Sequence, residues 1–166
     1  VDADPQANAT SLFLGPEVAQ GPEPGYNLYH VLCSDDDVAP EDVIRSVPLK
    51  QADREGSITL DILPAHSFAE LAEIELLTRI GREMRLRRWL GKVERRYQYI
   101  FIDCPPRLGQ LTVNALMASD EVVIPVSPGL FPMEGLALFR KTIEQVRSSG
   151  NQKLRINGIC AMMLEP

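Results

Sequence analysis

Apolar residues recur at strand spacing in four segments of the chain. Ile58, Leu60 and Ile62 alternate with the polar Thr59 and Asp61, which is the period of two typical of a strand with one buried face. Three later segments are more continuously apolar and also predict strands: 99–102, 122–126 and 154–163. The segment 99–102 is apolar at every position, which predicts a strand covered on both faces, as in a parallel sheet.

Other segments follow the helical period. Leu77, Ile80 and Met84 fall at i, i+3 and i+7 and predict one long helix over 68–97. Two more helices are expected between the later strands, over 112–118 and 133–149. From residue 99 onward strands and helices therefore alternate, which predicts an α/β fold with a doubly wound, mostly parallel sheet.

Breaker residues divide the first part of the chain. Glycines and prolines mark 15–25 as a loop. Pro40 stands at the first turn of a short acidic helix that follows Asp35, Asp36 and Asp37.

The composition is that of one ordinary globular domain. The 166 residues are 45% apolar and 24% charged, and no apolar run is long enough to span a bilayer. The three cysteines are far apart and do not form a metal-binding pattern. The net charge of −6 argues against binding of nucleic acid over the whole surface. Residues 79–96, however, carry eight basic and two acidic side chains, which fits either a solvated helix face or a contact to a phosphate backbone.

The candidate chemistry lies at two strand ends. Asp2 and Asp4 close a short segment at the start of the chain, and Asp103 closes the most apolar strand. Ligands of open α/β sheets bind beyond the carboxyl ends of the strands, where a carboxylate can hold Mg²⁺ beside phosphates. An aspartate before a proline is also common as a turn or cap residue, so both interpretations stay open here.

Two sequence blocks carry a family resemblance. Residues 2–10 (DADPQANAT) resemble the switch I segment of ParA-type partition ATPases, the ParA/Soj/MinD group with deviant Walker motifs. Residues 97–106 (YQYIFIDCPP) are similar to the Walker B and switch II stretch of the same family. The resemblance extends over nearly the whole chain, is weakest in 15–55, and implies a P-loop NTPase-like fold with three α/β/α layers.

The resemblance implies a role for each matching carboxylate. Asp4 matches the switch I carboxylate that orients the attacking water. Asp2 matches its neighbour near the Mg²⁺ shell, and Asp103 matches the Walker B residue that binds Mg²⁺ through water.

The resemblance also implies contacts to the nucleotide. Pro105, Pro106 and Gly109 match the switch II turn, whose shape reports the γ-phosphate of ATP. Met163 lies where the family begins its adenine-contacting segment.

The function implied by the resemblance is Mg²⁺-dependent ATP hydrolysis in plasmid or chromosome partition. Proteins of this kind form a homodimer switched by ATP, bind DNA non-specifically and are stimulated by a ParB-like partner. We therefore expect a cytoplasmic, nucleoid-associated protein without stable membrane association.

The chain also departs from the family pattern. The family's phosphate loop, first strand and first helix would precede Val1, and its C-terminal part would follow Pro166. We therefore expect 1–166 to be a single partial nucleotide-binding domain, incomplete at both ends and inactive alone. Ala7 replaces the usual glycine after Pro-Gln.

Three alternatives remain at this stage. One is a MinD-like membrane-associated regulator of the division site, although Asp-Pro-Gln-x-Asn favours the partition type. The second is another deviant Walker ATPase, of the nitrogenase-reductase or cofactor-biosynthesis kind. The third is a non-catalytic scaffold.

Overall fold

Helices and strands alternate through the computed structural model, which describes residues 1–22, 25–50, 56–126 and 133–162. The strands are β1 (Arg45–Lys50), β2 (Ser57–Ile62), β3 (Glu121–Val126) and β4 (Arg155–Ala161). The first four α-helices are α1 (Asn8–Leu14), α2 (Pro16–Gln20), α3 (Leu28–Cys33) and α4 (Pro40–Val43). The other four are α5 (Ala69–Glu75), α6 (Arg85–Leu90), α7 (Gln110–Ala118) and α8 (Met133–Ser149). Short turns of 3₁₀ helix lie at Leu76–Thr78, Arg82–Met84 and Glu94–Arg96.

The parallel pair β3 and β4 carries the α/β character of the fold. Helix α8 connects the two strands, and its Ile143 and Val146 pack with Leu154, Leu116 and Met117 in one apolar cluster. A parallel pair needs such a crossover, because two parallel strands cannot be joined by a tight turn. The predicted fold class is therefore confirmed, together with helices α7 and α8.

The segment 99–102, predicted as a strand, is not one of the strand elements of the structure; the adjoining Asp103 forms a single parallel bridge with Asp2, and the segment is buried on one face only. Ile100 and Ile102 pack against the main core, whereas Tyr99 and Phe101 are 73% and 81% exposed. Within the described residues the core lies on one side of this segment, so this chain alone does not cover both faces as predicted. A continuous apolar run does not by itself show which faces are covered.

An antiparallel hairpin of β1 and β2 stands apart from the parallel pair. Its register runs from Arg45 opposite Ile62 to Lys50 opposite Ser57. The alternating pattern correctly predicted β2, but no strand was predicted at β1. Pro48 is accepted in β1 because both strands of a two-stranded sheet are edge strands.

The predicted single helix over 68–97 is wrong. The segment is divided among α5, α6 and the three 3₁₀ turns, and it bends where Arg79 is extended and Gly81 adopts a left-handed conformation with φ 63°. The break lets Leu76 and Leu86, which are 0% and 1% exposed, both reach the core. Tertiary burial here overrides a continuous helical pattern.

The predicted loop over 15–25 contains a short helix, α2. Gly15 precedes it with φ 95°, and Pro16 occupies the first helical position, where its missing N–H costs nothing. Ala19 of this helix is fully buried together with Ala7 and Ala65. The glycine and proline that suggested a loop are thus the boundary signals of a helix.

The main core lies between helices α3, α5, α6 and α7. Its largest fully buried side chains include Leu28, Leu32, Leu76, Leu86 and Leu111. Among the helices of the described ranges, none combines the length and the apolar character required to cross a membrane.

Candidate functional site

Asp2 is buried beside the start of α1, where protein donors hold its carboxylate. Its Oδ2 accepts hydrogen bonds from the Thr10 amide at 2.8 Å and the Thr10 hydroxyl at 2.7 Å. Its Oδ1 accepts one from the Asp4 amide at 3.2 Å. The Thr10 hydroxyl in turn accepts a bond from the Ala65 amide at 2.9 Å. Asp2, at 1% exposure, therefore stabilises the first turn of α1 and the adjoining backbone.

Asp4 forms the turn that leads into the same helix. Its Oδ1 accepts a hydrogen bond from the Gln6 amide at 2.9 Å, and its carbonyl accepts one from the Ala7 amide at 2.9 Å. Oδ2 of Asp4 accepts no hydrogen bond from the described part of the chain. Since Asp4 is only half-buried, this carboxylate can still bind an external group.

Ala7 occupies the position where the family usually has glycine. Its backbone is left-handed, with φ 51° and ψ 37°, a conformation that costs an L-residue about 1–2 kcal/mol. Its side chain is fully buried with Ala19 and Ala65. The turn thus retains the glycine-like conformation, and burial of a methyl group offsets part of the strain.

Backbone pairing brings Asp103 next to the first residues of the chain. The Asp103 amide donates to Val1 O at 2.9 Å, and the Ala3 amide donates to Asp103 O at 2.8 Å. The Val1 amine donates to Phe101 O at 2.7 Å, and Asp2 and Asp103 form a parallel bridge. The two strand ends singled out in the sequence are therefore neighbours.

Negatively charged groups are crowded around Asp103. Partial desolvation, followed by repulsion from Asp2 and Asp4, raises the pKa of the Asp103 carboxyl. Burial and the neighbouring Asp103 raise the pKa of the Cys104 thiol to about 11. A bound cation would relieve this repulsion, because it lowers the energy of every ionised carboxylate near it.

The residues present fit a magnesium ion that is only partly held by protein. Mg²⁺ keeps several waters and is usually bound by one or two carboxylates together with substrate phosphates. Asp103 is exposed and Asp4 is half-buried, so both can offer oxygens for this purpose, whereas both oxygens of the buried Asp2 already accept hydrogen bonds. Within the described ranges, no three His, Cys, Asp or Glu side chains are assembled closely enough to form a metal site.

The turn over 104–109 connects Asp103 to helix α7. Pro105 is buried and Pro106 is exposed. Gly109 is the N-cap of α7 and offers no side chain to cap it. Met163, expected near the adenine, lies outside the described residues.

Sequence reasoning missed one residue of this region, Glu73 of α5. Its carboxylate accepts hydrogen bonds from the amides of Gln110 at 2.6 Å and Leu111 at 3.2 Å, the first two residues of α7. The contact joins positions 37 and 38 residues apart, and no local pattern indicates it.

The basic stretch 79–96 contacts an acidic segment of the same chain. Arg79 pairs with Asp35, Lys92 with Asp37, and Arg96 with Glu41, the last at 3.0 Å. Other cations of the stretch donate to backbone carbonyls: Arg82 to Leu77, Arg85 to Ser34, Arg87 to Met117 and Arg88 to Gly81. Much of this charge therefore holds segment 34–41 in place, which weighs against a phosphate-binding face here.

A known domain family accounts for most of the chain. The AAA_31 family, described as an AAA domain, matches residues 1–156. The sporulation initiation inhibitor protein Soj of Bacillus subtilis (strain 168) is 43% identical over 165 residues, which are 99% of this chain and 60% of that protein. The chromosome partitioning protein ParA of Myxococcus xanthus (strain DK1622) is 36% identical over 165 residues, covering 99% and 53%.

Solved structures with the same fold include one with bound nucleotide and magnesium. Cobyrinic acid a,c-diamide synthase from Mycobacterium smegmatis with bound ADP and magnesium superposes with a TM-score of 0.78 at 32% identity, covering 96% of this chain and 59% of that one. A plasmid partition protein from Borrelia burgdorferi superposes with a TM-score of 0.75 at 25% identity, covering 99% and 66%. The chain spans 48–60% of the length of the curated relatives it matches.

Proposed function

The chain belongs to the AAA_31 family and is a relative of ParA-like partition ATPases, and from this premise we propose that it is part of an ATPase that hydrolyses ATP with Mg²⁺ in plasmid or chromosome partition. The intact protein would be an ATP-switched homodimer that binds DNA non-specifically and responds to a ParB-like partner. It would be cytoplasmic and nucleoid-associated. The chain spans only part of its relatives, so the phosphate-binding loop is proposed to lie in the longer protein that contains it.

The observation that carries the proposal is the backbone pairing of Asp103 with the first residues of the chain. Asp103 pairs with Val1 and Ala3, which places it beside the turn that begins at Asp4. Phosphoryl transfer needs positioning and charge stabilisation rather than covalent chemistry by the protein. A carboxylate that binds Mg²⁺ through water and a second that orients the attacking water are two of the groups such a site requires.

We propose separate roles for the three aspartates. Asp103 holds the Mg²⁺ hydration shell, and Asp4 orients the attacking water. Asp2, which the family resemblance places near the Mg²⁺ shell, fixes the first turn of α1 through its bonds to Thr10 and does not contact the metal. We propose that Pro105, Pro106 and Gly109 belong to the turn that responds to the γ-phosphate, and that Met163 contacts the adenine.

The test uses the longer protein that contains this chain. Asp4→Ala is expected to leave ATP binding intact while abolishing turnover, and Asp103→Ala is expected to weaken Mg²⁺-dependent nucleotide binding. Asp36→Ala is the matched control, because Asp36 is an exposed carboxylate outside the site. Unchanged hydrolysis with Asp4→Ala, or an unaltered Mg²⁺ titration with Asp103→Ala, contradicts the assigned roles.

DNA binding separates the partition role from the alternatives. A partition ATPase should bind DNA in its ATP state with an affinity that falls steeply as salt increases. Hydrolysis without DNA binding would instead favour a biosynthetic ATPase, in line with the synthase among the structural neighbours. The MinD-like alternative is not favoured by the named relatives, and ATP-dependent binding to lipid vesicles would be needed to revive it.

A further inference from the structure

The N-terminus of α7 is capped by a side chain from another helix. Glu73 of α5 gives one carboxylate oxygen to each of two amides, Oε2 to Gln110 and Oε1 to Leu111. The first amides of a helix have no partner within the helix, and they carry the positive end of its dipole. An ionised carboxylate is the strongest acceptor that a protein can place there.

Gly109 makes room for this carboxylate. A Cβ built on Gly109 would lie 2.5 Å from Oε2 of Glu73 and closer still to Oε1, which is nearer than real Cβ atoms approach. The backbone of Gly109, at φ −110° and ψ −167°, is one that other residues adopt. A side chain at this position would therefore displace the Glu73 carboxylate from the two amides, whereas the backbone conformation itself does not require glycine.

The Glu73 carboxylate lies at the end of the 104–109 turn, which is the turn proposed to respond to the γ-phosphate. The 104–109 turn follows Asp103, whose backbone pairs with Val1 and Ala3. The turn ends at the start of α7, where Glu73 accepts the Gln110 amide. The Thr112 hydroxyl also donates to Arg107 O at 2.6 Å within this turn. Both ends of the turn are thus anchored, one to the first residues of the chain and the other to α5.

We propose that Glu73 is a positioning residue that fixes the 104–109 turn to α5, and that Gly109 is glycine to admit its carboxylate rather than to contact the nucleotide. This inference rests on the proposed function for its catalytic consequence. Because the two oxygens serve two amides, glutamine at position 73 can satisfy one of them and alanine can satisfy neither.

The first test is amide hydrogen exchange in the longer protein that contains this chain. Glu73→Ala is expected to raise exchange at Gln110 and Leu111 by about tenfold or more, the change that follows loss of hydrogen bonds to a charged group. Glu73→Gln should show an intermediate effect. Glu70→Gln, one turn earlier on α5 and paired only loosely with Arg107 at 3.8 Å, is the matched control and should leave these amides unchanged. Unaltered exchange with Glu73→Ala overturns the proposal.

The second test is ATP hydrolysis by the longer protein. Glu73→Ala and Gly109→Ala should each lower kcat several-fold with little change in KM, because neither residue touches the nucleotide, and Glu73→Gln should recover part of the rate. The double variant should match Glu73→Ala, since both changes remove the same contact. A double variant with weaker ATP binding than Glu73→Ala, or an unchanged kcat with Glu73→Ala, overturns the positioning role. Absence of hydrolysis by the unsubstituted protein contradicts the proposed function instead, while the exchange experiment still decides the contact.

Discussion

Replacement of Asp2 by asparagine distinguishes a structural carboxylate from a metal ligand. In the structure the buried carboxylate accepts three hydrogen bonds, two from Thr10 and one from the Asp4 amide. Asparagine keeps one acceptor oxygen and turns an NH₂ group toward the remaining donor. If the role of Asp2 is structural, the variant must lose stability even in the absence of any metal or nucleotide.

The magnitude follows from the bonds that are lost or weakened. A hydrogen bond to a charged group contributes about 1.5–3 kcal/mol net, and a neutral acceptor gives roughly half the strength. If asparagine keeps both bonds from Thr10 at about half their strength and loses the one from Asp4, Asp2→Asn should lower the free energy of unfolding by about 3–6 kcal/mol. Thr10→Val should cost about 1–3 kcal/mol, because it leaves the buried Ala65 amide without its acceptor.

The assay is urea denaturation of this chain in EDTA and again with Mg²⁺. Asp4→Asn is the matched control, since among the described residues its carboxylate accepts only the Gln6 amide, in an exposed turn, and it should cost less than about 1 kcal/mol. The double variant of Asp2→Asn with Thr10→Val should be less destabilised than the sum of the single variants, because the two residues share hydrogen bonds.

Either of two results would refute the structural role of Asp2. One is a change smaller than about 0.5 kcal/mol for Asp2→Asn, the size of an ordinary surface substitution. The other is a destabilisation that is seen only with Mg²⁺, which would make Asp2 a metal ligand.

Three further predictions concern single sites. Ala7→Val should lower the unfolding free energy by more than about 2 kcal/mol in urea, because a branched side chain is strained in the left-handed region and has no room in a buried site. Ala7→Gly should change the unfolding free energy by no more than about 1 kcal/mol, since relief of backbone strain is opposed by the lost methyl group and the greater entropy of the unfolded chain. A gain in stability above about 2 kcal/mol would contradict this balance. The hydrogen bond to Glu75 raises the pKa of Tyr29 to about 12, so its contribution to stability is complete below pH 10 and is lost as pH rises through 12; Tyr29→Phe should flatten that alkaline loss in a denaturation series. The raised pKa of Cys104, about 11, should make its alkylation slow at pH 8 and faster in Asp103→Asn, as measured by peptide mapping, and equal rates in the two proteins would show that Asp103 has no effect on the thiol.

Local patterns were sufficient for much of the fold. The alternation at Ile58, Leu60 and Ile62 predicted β2, and the helical spacing in 133–149 predicted α8. These elements have a single apolar period and clear boundaries, so their local preferences agree with their tertiary environment.

The errors occur where long-range contacts override a local pattern. The break at Gly81 divides a segment with a continuous helical period, because Leu76 and Leu86 must both reach the core. Likewise, the apolar segment ending at Asp103 does not show by itself that Tyr99 and Phe101 are exposed. Burial on one face or two depends on elements distant in the sequence.

The sequence by itself determined the α/β class, the aspartates at the strand ends and the resemblance to ParA-type ATPases, because each depends on residue types at short, fixed spacings. Only the tertiary structure decided that Asp2 is already hydrogen-bonded, that Asp103 lies beside the turn that begins at Asp4, and that Glu73 caps α7. The physical reason is that hydrogen-bond partners and electrostatic neighbours depend on distance in space. Asp103 and its partners are about 100 residues apart along the chain, and Asp2 and Thr10 are joined by a turn whose geometry no short pattern specifies.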